Sequence, residues 1–191
     1  NQALVNWFVE LQPAEGSTAR AALLPTPGVT TLTSFMTSGG RGSLFAEGRF
    51  FVLVGNALCE VSSNWAVTVR GTVAINQYPG VMCTSGPGGN QLCIASGGNV
   101  YNYDLLTNTL TEELTGGYLT VGFSFGYFLA FDQTNRRVRI SDLFDGTTWD
   151  PLEFFERSAQ ADNWQSMLVD PYGYVFLPGS KTSESWFPNG A

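Results

Sequence analysis

Paired carboxylates are the residues of this chain best suited to chemistry. Asp142 with Asp145, Glu112 with Glu113, and Glu153 with Glu156 lie close enough in sequence to supply the two carboxyl groups of a glycosidase. Glu112 and Glu113 are adjacent, and adjacent side chains of a strand point to opposite faces, so that pair does not converge. Nucleophile activation of the Ser-His or Cys-His kind is excluded, because the 191 residues include no histidine. Cys59, Cys83 and Cys93 form no closely spaced pair, and without histidine they make no zinc site. The expectation is that the chain has no catalytic residues, no metal ligands and no cofactor.

The charges point away from phosphate. Net charge is −7 and Lys181 is the single lysine, whereas nucleic-acid binding by counterion release needs clustered lysine and arginine. The cluster that exists, Arg136, Arg137 and Arg139, falls at an expected hairpin tip and reads as a solvated loop. No high-affinity nucleic-acid contact is expected. No run of about 18 apolar residues is present to span a membrane, and no charged segment followed by an apolar stretch at Asn1 marks a signal peptide. With 43% hydrophobic, 14% aromatic and only 13% charged residues, the chain can fill a core, and other subunits are expected to cover part of its surface. Cys83 and Cys93 fall on neighbouring expected strands, which leaves a bridge open. Buried, reduced cysteines are the better reading, and they favour an intracellular folding compartment.

These side chains must be positioned by a repeat. A block of strand, glycine turn and second strand recurs at Gly48 to Val61, Gly89 to Asp104, Gly126 to Ser141 and Gly173 to Phe187. The lead glycines are roughly 40 residues apart, the spacing of β-propeller blades. In the first copy Phe50 to Val54 is a continuous apolar run, which suits a strand covered on both faces. Gly55-Asn56 turns the chain, glycine accepting positive φ, and Ala57 to Val61 returns. Strands at Gly42 to Glu47 and Ala66 to Val69 complete the blade. The second blade uses Val81 to Ser85, Gln91 to Ala95, Val100 to Tyr103 and Thr109 to Leu114. The third uses Leu119 to Ser124, Tyr127 to Phe131, Arg137 to Ser141 and a weak strand near Trp149. The fourth uses Ser166 to Asp170, Tyr174 to Leu177 and Glu184 to Phe187. Phe50 to Val54, Gln91 to Ala95, Tyr127 to Phe131 and Tyr174 to Leu177 are expected to lie side by side around a common axis, in separate sheets. Three and a half blades do not close a ring, so a longer polypeptide or a partner is implied. A periodic β-sandwich is the alternative.

Residues 1–40 read as an extended, Pro/Gly-rich arm, and residues 41–191 as the blades. Asn6 to Glu10 suits one short strand, while Pro13, Pro25 and Pro27 keep the path extended. Asn6, Trp7, Phe8, Glu10, Pro25 and Pro27 are the candidate assembly residues of this arm, laid on its own domain or on a neighbour. Ser141-Asp142-Leu143-Phe144-Asp145-Gly146-Thr147-Thr148-Trp149 is similar to the Asp-box turn of sialidase-like propellers, with one extra residue between Ser141 and Trp149. Ser141, Asp145, Gly146 and Trp149 are expected to build a structural turn. Asp150-Pro151 suits the start of one helical turn.

A family resemblance runs through nearly the whole chain. Asn6-x-x-Val9-Glu10, Leu24-Pro25-Thr26-Pro27-Gly28, Arg41-Gly42, Gly55-Asn56-Ala57-Leu58 and above all Asp145 to Phe154 (DGTTWDPLEF) occur in the order found in packaged-DNA stabilisation proteins. These are also called tail accessory or tail hub proteins of short-tailed bacteriophages. Glu184-x-Trp186-x-x-Asn189-Gly190 resembles the stretch that closes the family's central blades. The match corresponds to about the N-terminal half of a family member. Where the family carries an acidic stretch ending in Pro-Asp, this chain has Ser158 to Trp164, which puts that local turn in doubt. The resemblance implies a virion protein assembled in the host cytoplasm. It also implies identical subunits in a ring, typically a hexamer, with portal, adaptor and other tail proteins as partners, and DNA retained by closure of the exit channel. It brings no catalytic residues.

Two other readings stay open. A carbohydrate-binding propeller is motivated by five tryptophans and by Gly97-Gly98, Tyr101, Tyr103-Asp104 and Thr107-Asn108-Thr109, which resemble a kelch blade. A glycosidase would use Asp142 or Asp145.

Overall fold

The computed structural model describes residues 7–11, 21–25, 30–36, 39–157 and 162–187. The chain divides into two compact units, Asn1–Ser34 and Phe35–Ala191. In the first, β1 (Trp7–Leu11) pairs antiparallel with β2 (Ala21–Pro25), Trp7 opposite Pro25. The single strand expected near Asn6 to Glu10 is therefore half of a hairpin. Pro25 sits at the strand's last position, where its missing N–H costs no internal ladder bond.

The second unit is all β, and no helix forms among the described residues. Blade one is β3 (Gly40–Ala46), β4 (Arg49–Val54), β5 (Ala57–Val61) and β6 (Val67–Thr72), hydrogen-bonded in that order. Blade two is β7 (Val81–Thr84), β8 (Gln91–Ser96), β9 (Gly98–Asp104) and the first half of β10 (Thr109–Ser124). The second half of β10 opens blade three, followed by β11 (Tyr127–Asp132), β12 (Arg137–Leu143) and β13 (Phe154–Glu156). Blade four contains β14 (Leu168–Val169), β15 (Val175–Pro178) and β16 (Ser183–Trp186). Successive blades pack face to face, which makes this unit a β-propeller and not a sandwich.

Four expectations are corrected. The strands around the common axis are β3, β7, the end of β10 and β14, since each of these touches the next. The apolar runs Phe50 to Val54, Gln91 to Ala95, Tyr127 to Phe131 and Tyr174 to Leu177 map instead to the second strand of each blade. β10 is also continuous, where two separate strands were expected, so β8 and β11 belong to one seven-stranded sheet. Gly116 and Gly117, at φ 88 and 85, form an irregularity that lets Leu114 and Tyr118 both keep partners on β9 while Tyr118 pairs onward with Asp132. Finally, the fourth strand of blade three is Phe154–Glu156, and Trp149 lies in the loop before it. Asp150-Pro151 makes a turn, the Glu153 N–H donating to Asp150 O at 3.1 Å, and not a helical turn.

The second strands β8 and β11 are buried nearly throughout because each faces two neighbouring blades, whereas β15 alternates between buried and exposed residues. On β8, Leu92 and Ile94 enter the core shared with blade one, beside Phe51, Leu53 and Tyr103. Cys93 and Ala95 enter the next core with Val121, Phe128 and Ala130. On β11 the alternation repeats: Phe128 and Ala130 face blade two, and Leu129 and Phe131 face Trp164, Val175 and Leu177. Each fully buried leucine or phenylalanine stabilises the stack by about 1.5–3 kcal/mol. A blade is thus held mainly by the cores on either side of it.

Candidate functional site

The nonapeptide Ser141 to Trp149 spans the end of β12 and the loop to β13, and it is wired as a turn. Ser141, fully buried, accepts the Phe128 N–H at 2.9 Å and donates to Asp142 O at 2.8 Å. Asp145 Oδ1 accepts the Thr147 N–H at 2.9 Å and its hydroxyl at 2.7 Å, and Oδ2 accepts the Thr148 hydroxyl at 3.0 Å. Burial alone would push the Asp145 carboxyl up, but these bonds and one from Gln91 hold it below the usual carboxylate range. The Trp149 indole N–H donates to Gly146 O at 2.9 Å and its half-buried ring packs on the core between blades two and three. Ser141, Asp145, Gly146 and Trp149 therefore sit together in one hydrogen-bonded turn.

Glu112 and Glu113 are also occupied locally. Glu112 accepts from Asn99 Nδ2 at 2.9 Å, and Glu113 from the Thr111 hydroxyl. Glu153 and Glu156 are exposed. Among the described residues no group of three His, Cys, Asp or Glu could hold a metal ion. Cys83 and Cys93 are direct register partners on β7 and β8, and both are free thiols. Burial, reinforced by Cys83, raises the Cys93 thiol well above its usual range.

The tyrosines, Asp104 and Asn108 behind the carbohydrate reading are engaged within the propeller. Tyr101 and Tyr103 are buried in the core of blades one and two. Asp104 Oδ1 accepts the Leu106 and Thr107 N–H groups at 2.7 and 2.9 Å, and Asn108 accepts the Tyr103 hydroxyl at 2.8 Å. Of the tryptophans, Trp164 is buried and Trp149 half-buried, while Trp65 and Trp186 reach the surface.

What sequence reasoning missed is the work of arginine. Arg41 Nη1 donates to Gly55 O at 3.2 Å and Ser96 Oγ at 2.8 Å, and Nη2 to Tyr78 O at 3.1 Å, tying blade one to blade two. At the opposite end Arg49 makes two bonds to Glu60 at 2.6 and 2.8 Å, then reaches across to Leu105 O at 2.7 Å and Asn108 Oδ1 at 2.6 Å. Arg70 shares Glu60 at 2.7 Å. Arg139, buried, donates to Trp149 O and Asp150 O at 3.3 and 2.9 Å. Arg157 pairs with Asp162 at 3.2 Å and Glu184 at 2.9 Å, joining the end of blade three to blade four. Of the triplet Arg136, Arg137 and Arg139, only Arg136 lies at the hairpin tip; Arg137 sits over the Phe154 ring at 4.8 Å. One signal was present in the sequence: eight arginines against one lysine. A planar, forked guanidinium suits multiple buried acceptors, and an ammonium does not.

The innermost strands line a concavity of 890 Å³, whose walls include Leu44, Val81, Cys83, Val121, Phe123 and Met167. Asp170 is the one charged side chain in that lining, which includes no arginine or lysine. Of the candidate assembly residues, Trp7, Phe8, Glu10 and Pro25 fall on the strands of the N-terminal hairpin. Asn6 and Pro27 lie outside the described residues.

Among solved structures, the chain resembles the computationally designed Ika4 protein, with TM-score 0.57 and 9% identity over 84% of this chain and 99% of that one. It also resembles Hsv2 of Kluyveromyces lactis, with TM-score 0.54 and 12% identity over 88% of this chain and 52% of that one. The extracellular domain of BT4673 from B. thetaiotaomicron gives TM-score 0.59 and 12% identity over 79% and 22%. The chain thus spans about half or less of these natural structures, and at such identities the likeness concerns the fold alone. No curated protein matches the chain in sequence. The model of one family, described as bacteriophage P22 Gp10, beta-propeller, matches residues 1–191. With a propeller in place and a match over its whole length, the chain belongs to this phage stabilisation family.

Proposed function

We propose that the protein is a non-catalytic virion component of the tail hub. Copies join in a closed ring below the portal and adaptor, retain packaged DNA by closing its exit, and give tail components a surface to attach to. Family membership supports the structural phage role. The observation that carries the reading further is the use of positive charge. Arg41, Arg49, Arg70, Arg137, Arg139 and Arg157 are engaged within the propeller. The whole chain carries −7. A protein so arranged has little to offer phosphates, so retention works through steric closure and subunit contacts rather than grip.

The N-terminal unit is the proposed assembly arm. A two-stranded hairpin alone is marginal in water and needs a further apolar surface. Deleting residues 1–26 is expected to leave a folded propeller that assembles poorly, read by native mass spectrometry. An unchanged oligomer would assign the hairpin to packing within one subunit. In the same preparation, duplex DNA is expected to show no salt-dependent binding at physiological ionic strength. Steep salt-dependent affinity would overturn the closure reading.

A further inference from the structure

The two ends of the propeller carry different chemistry. Because successive strands run antiparallel, the turn between first and second strands and the loop between third and fourth strands emerge at one end of every blade. Contacts between neighbouring blades confirm the grouping. Gly88 N–H, from the first turn of blade two, donates to Glu47 in the first turn of blade one at 2.9 Å. The Phe125 ring, in the first turn of blade three, lies so close to Gly173 in that of blade four that no side chain fits there.

This end displays large apolar tips. Trp65, Phe125 and Phe144 are 47%, 60% and 62% exposed, and Leu106, Leu152 and Tyr172 more so. In the loops of the opposite end, the exposed large apolar residues among those described are Ile75 and Tyr78, and Met36 lies in the segment that leads into β3. Backbone strain is distributed the same way. Trp65, Phe125 and Phe144 have φ of 65, 48 and 55, as do Glu47 and Asn108 nearby at 46 and 57, whereas Arg136 alone represents the other end. Bulky residues are outliers in this region of φ, where glycine would sit without strain. Three aromatic rings held there and left largely outside the subunit's own core are anchors awaiting a surface.

Charge narrows the partner. The same end exposes Glu47, Asp142, Asp150 and Glu153. Its arginines, Arg49 and Arg139, are turned inward onto Glu60 and onto backbone carbonyls. Two such ends facing each other would oppose like charges. The opposite end of a second copy would offer Arg136 beside a 330 Å³ concavity lined mostly by charged and polar residues, a poor seat for aromatic rings. We propose that this end docks a different protein, one whose surface sets basic side chains around apolar pockets. Only the choice of binding partner in the test rests on the attachment role proposed above.

The test is hydroxyl-radical footprinting of the full-length protein, free and in the intact virion. Trp65, Phe125 and Phe144 are expected to oxidise readily in the free protein at every concentration and about tenfold more slowly in the particle. Equal oxidation in both would overturn the proposal. So would protection that grows with the concentration of the purified protein alone, because the occupant would then be a second copy. A charge-reversed variant, D150K/E153K, is expected to weaken binding of the purified portal–adaptor complex about tenfold and to flatten its salt dependence. Binding by this variant as tight as wild type would refute the basic partner. Protection in the virion, with no portal–adaptor binding even by wild type, supports the docking end and sinks the attachment reading instead.

Discussion

Gln91 of blade two accepts the Gly146 N–H of blade three at 2.7 Å, so the first residue of one blade's second strand fixes the long loop of the next. Its Nε2 also reaches Asp145 Oδ1 at 3.4 Å. Gln91→Ala leaves the Gly146 N–H without its acceptor, in a place where Phe128 and Asn102 crowd close. The expected loss is about 1–2 kcal/mol, read by chemical denaturation, and Gln91→Glu is not expected to restore it, because its second carboxylate oxygen would face that of Asp145.

Trp149 is half-buried and hydrogen-bonded, which makes its truncation milder than that of a fully enclosed ring. Trp149→Ala is expected to cost about 2 kcal/mol, below the 3–5 kcal/mol typical of a buried tryptophan. Trp149→Phe, which keeps the packing but drops the bond to Gly146 O, should cost about 1 kcal/mol. Equal losses for both variants would assign the whole effect to the indole N–H.

Arg49→Lys tests whether geometry or charge holds blades one and two together. A lysine keeps the charge beside Glu60 but cannot span Glu60, Leu105 O and Asn108 at once. The variant is expected to lose about 1–3 kcal/mol and to fall closer to Arg49→Ala than to wild type. A lysine variant as stable as wild type would show that only the ion pair matters.

Acid should unfold the protein through carboxylates held ionised by the fold. Arg49, assisted by Arg70, lowers the Glu60 carboxyl. The Lys181 N–H, then Thr182 and Arg157, hold Asp162 at about 2. A group whose folded value is depressed contributes its stability above the unfolded value and loses it as pH falls through the folded one. The melting temperature is therefore expected to be flat down to about pH 5 and to fall between about pH 4 and 2. Glu60→Gln and Asp162→Asn should each flatten that fall. With no histidine in the chain, no side chain of that type titrates near neutrality.

The parts of the fold that were legible in the sequence are those buried on two faces. Gln91 to Ala95 and Tyr127 to Phe131 announce themselves because both sides of the strand meet another blade. The innermost strands do not, since they face the axis with one side. Val81–Thr84 is intermediate in exposure throughout, and its four residues carry no pattern that marks its position. The continuity of β10 was hidden by Gly116-Gly117, which in sequence look like a break and in space maintain pairing on both sides. The bend at Ser141 to Trp149 was readable because the bonds of Asp145 to Thr147 and Thr148, and of Trp149 to Gly146 O, are local, whereas its tie to Gln91 was not. The arginine contacts were not, because Arg49 and Asn108 are 59 positions apart and meet only once two blades are stacked.

β10 passes from the rim of one blade to the axis of the next as a single paired strand, whereas blade one joins blade two through the unpaired segment before Val81. Tension applied across the propeller meets a continuous paired strand at one joint and, at the other, a segment pinned only by separate bonds such as that from Arg41 to Tyr78 O. Under mechanical load, blades two and three should yield together as one piece, and blade one should peel away first. The stiffness of this propeller is thus unevenly distributed, greatest where its chain never leaves the sheet.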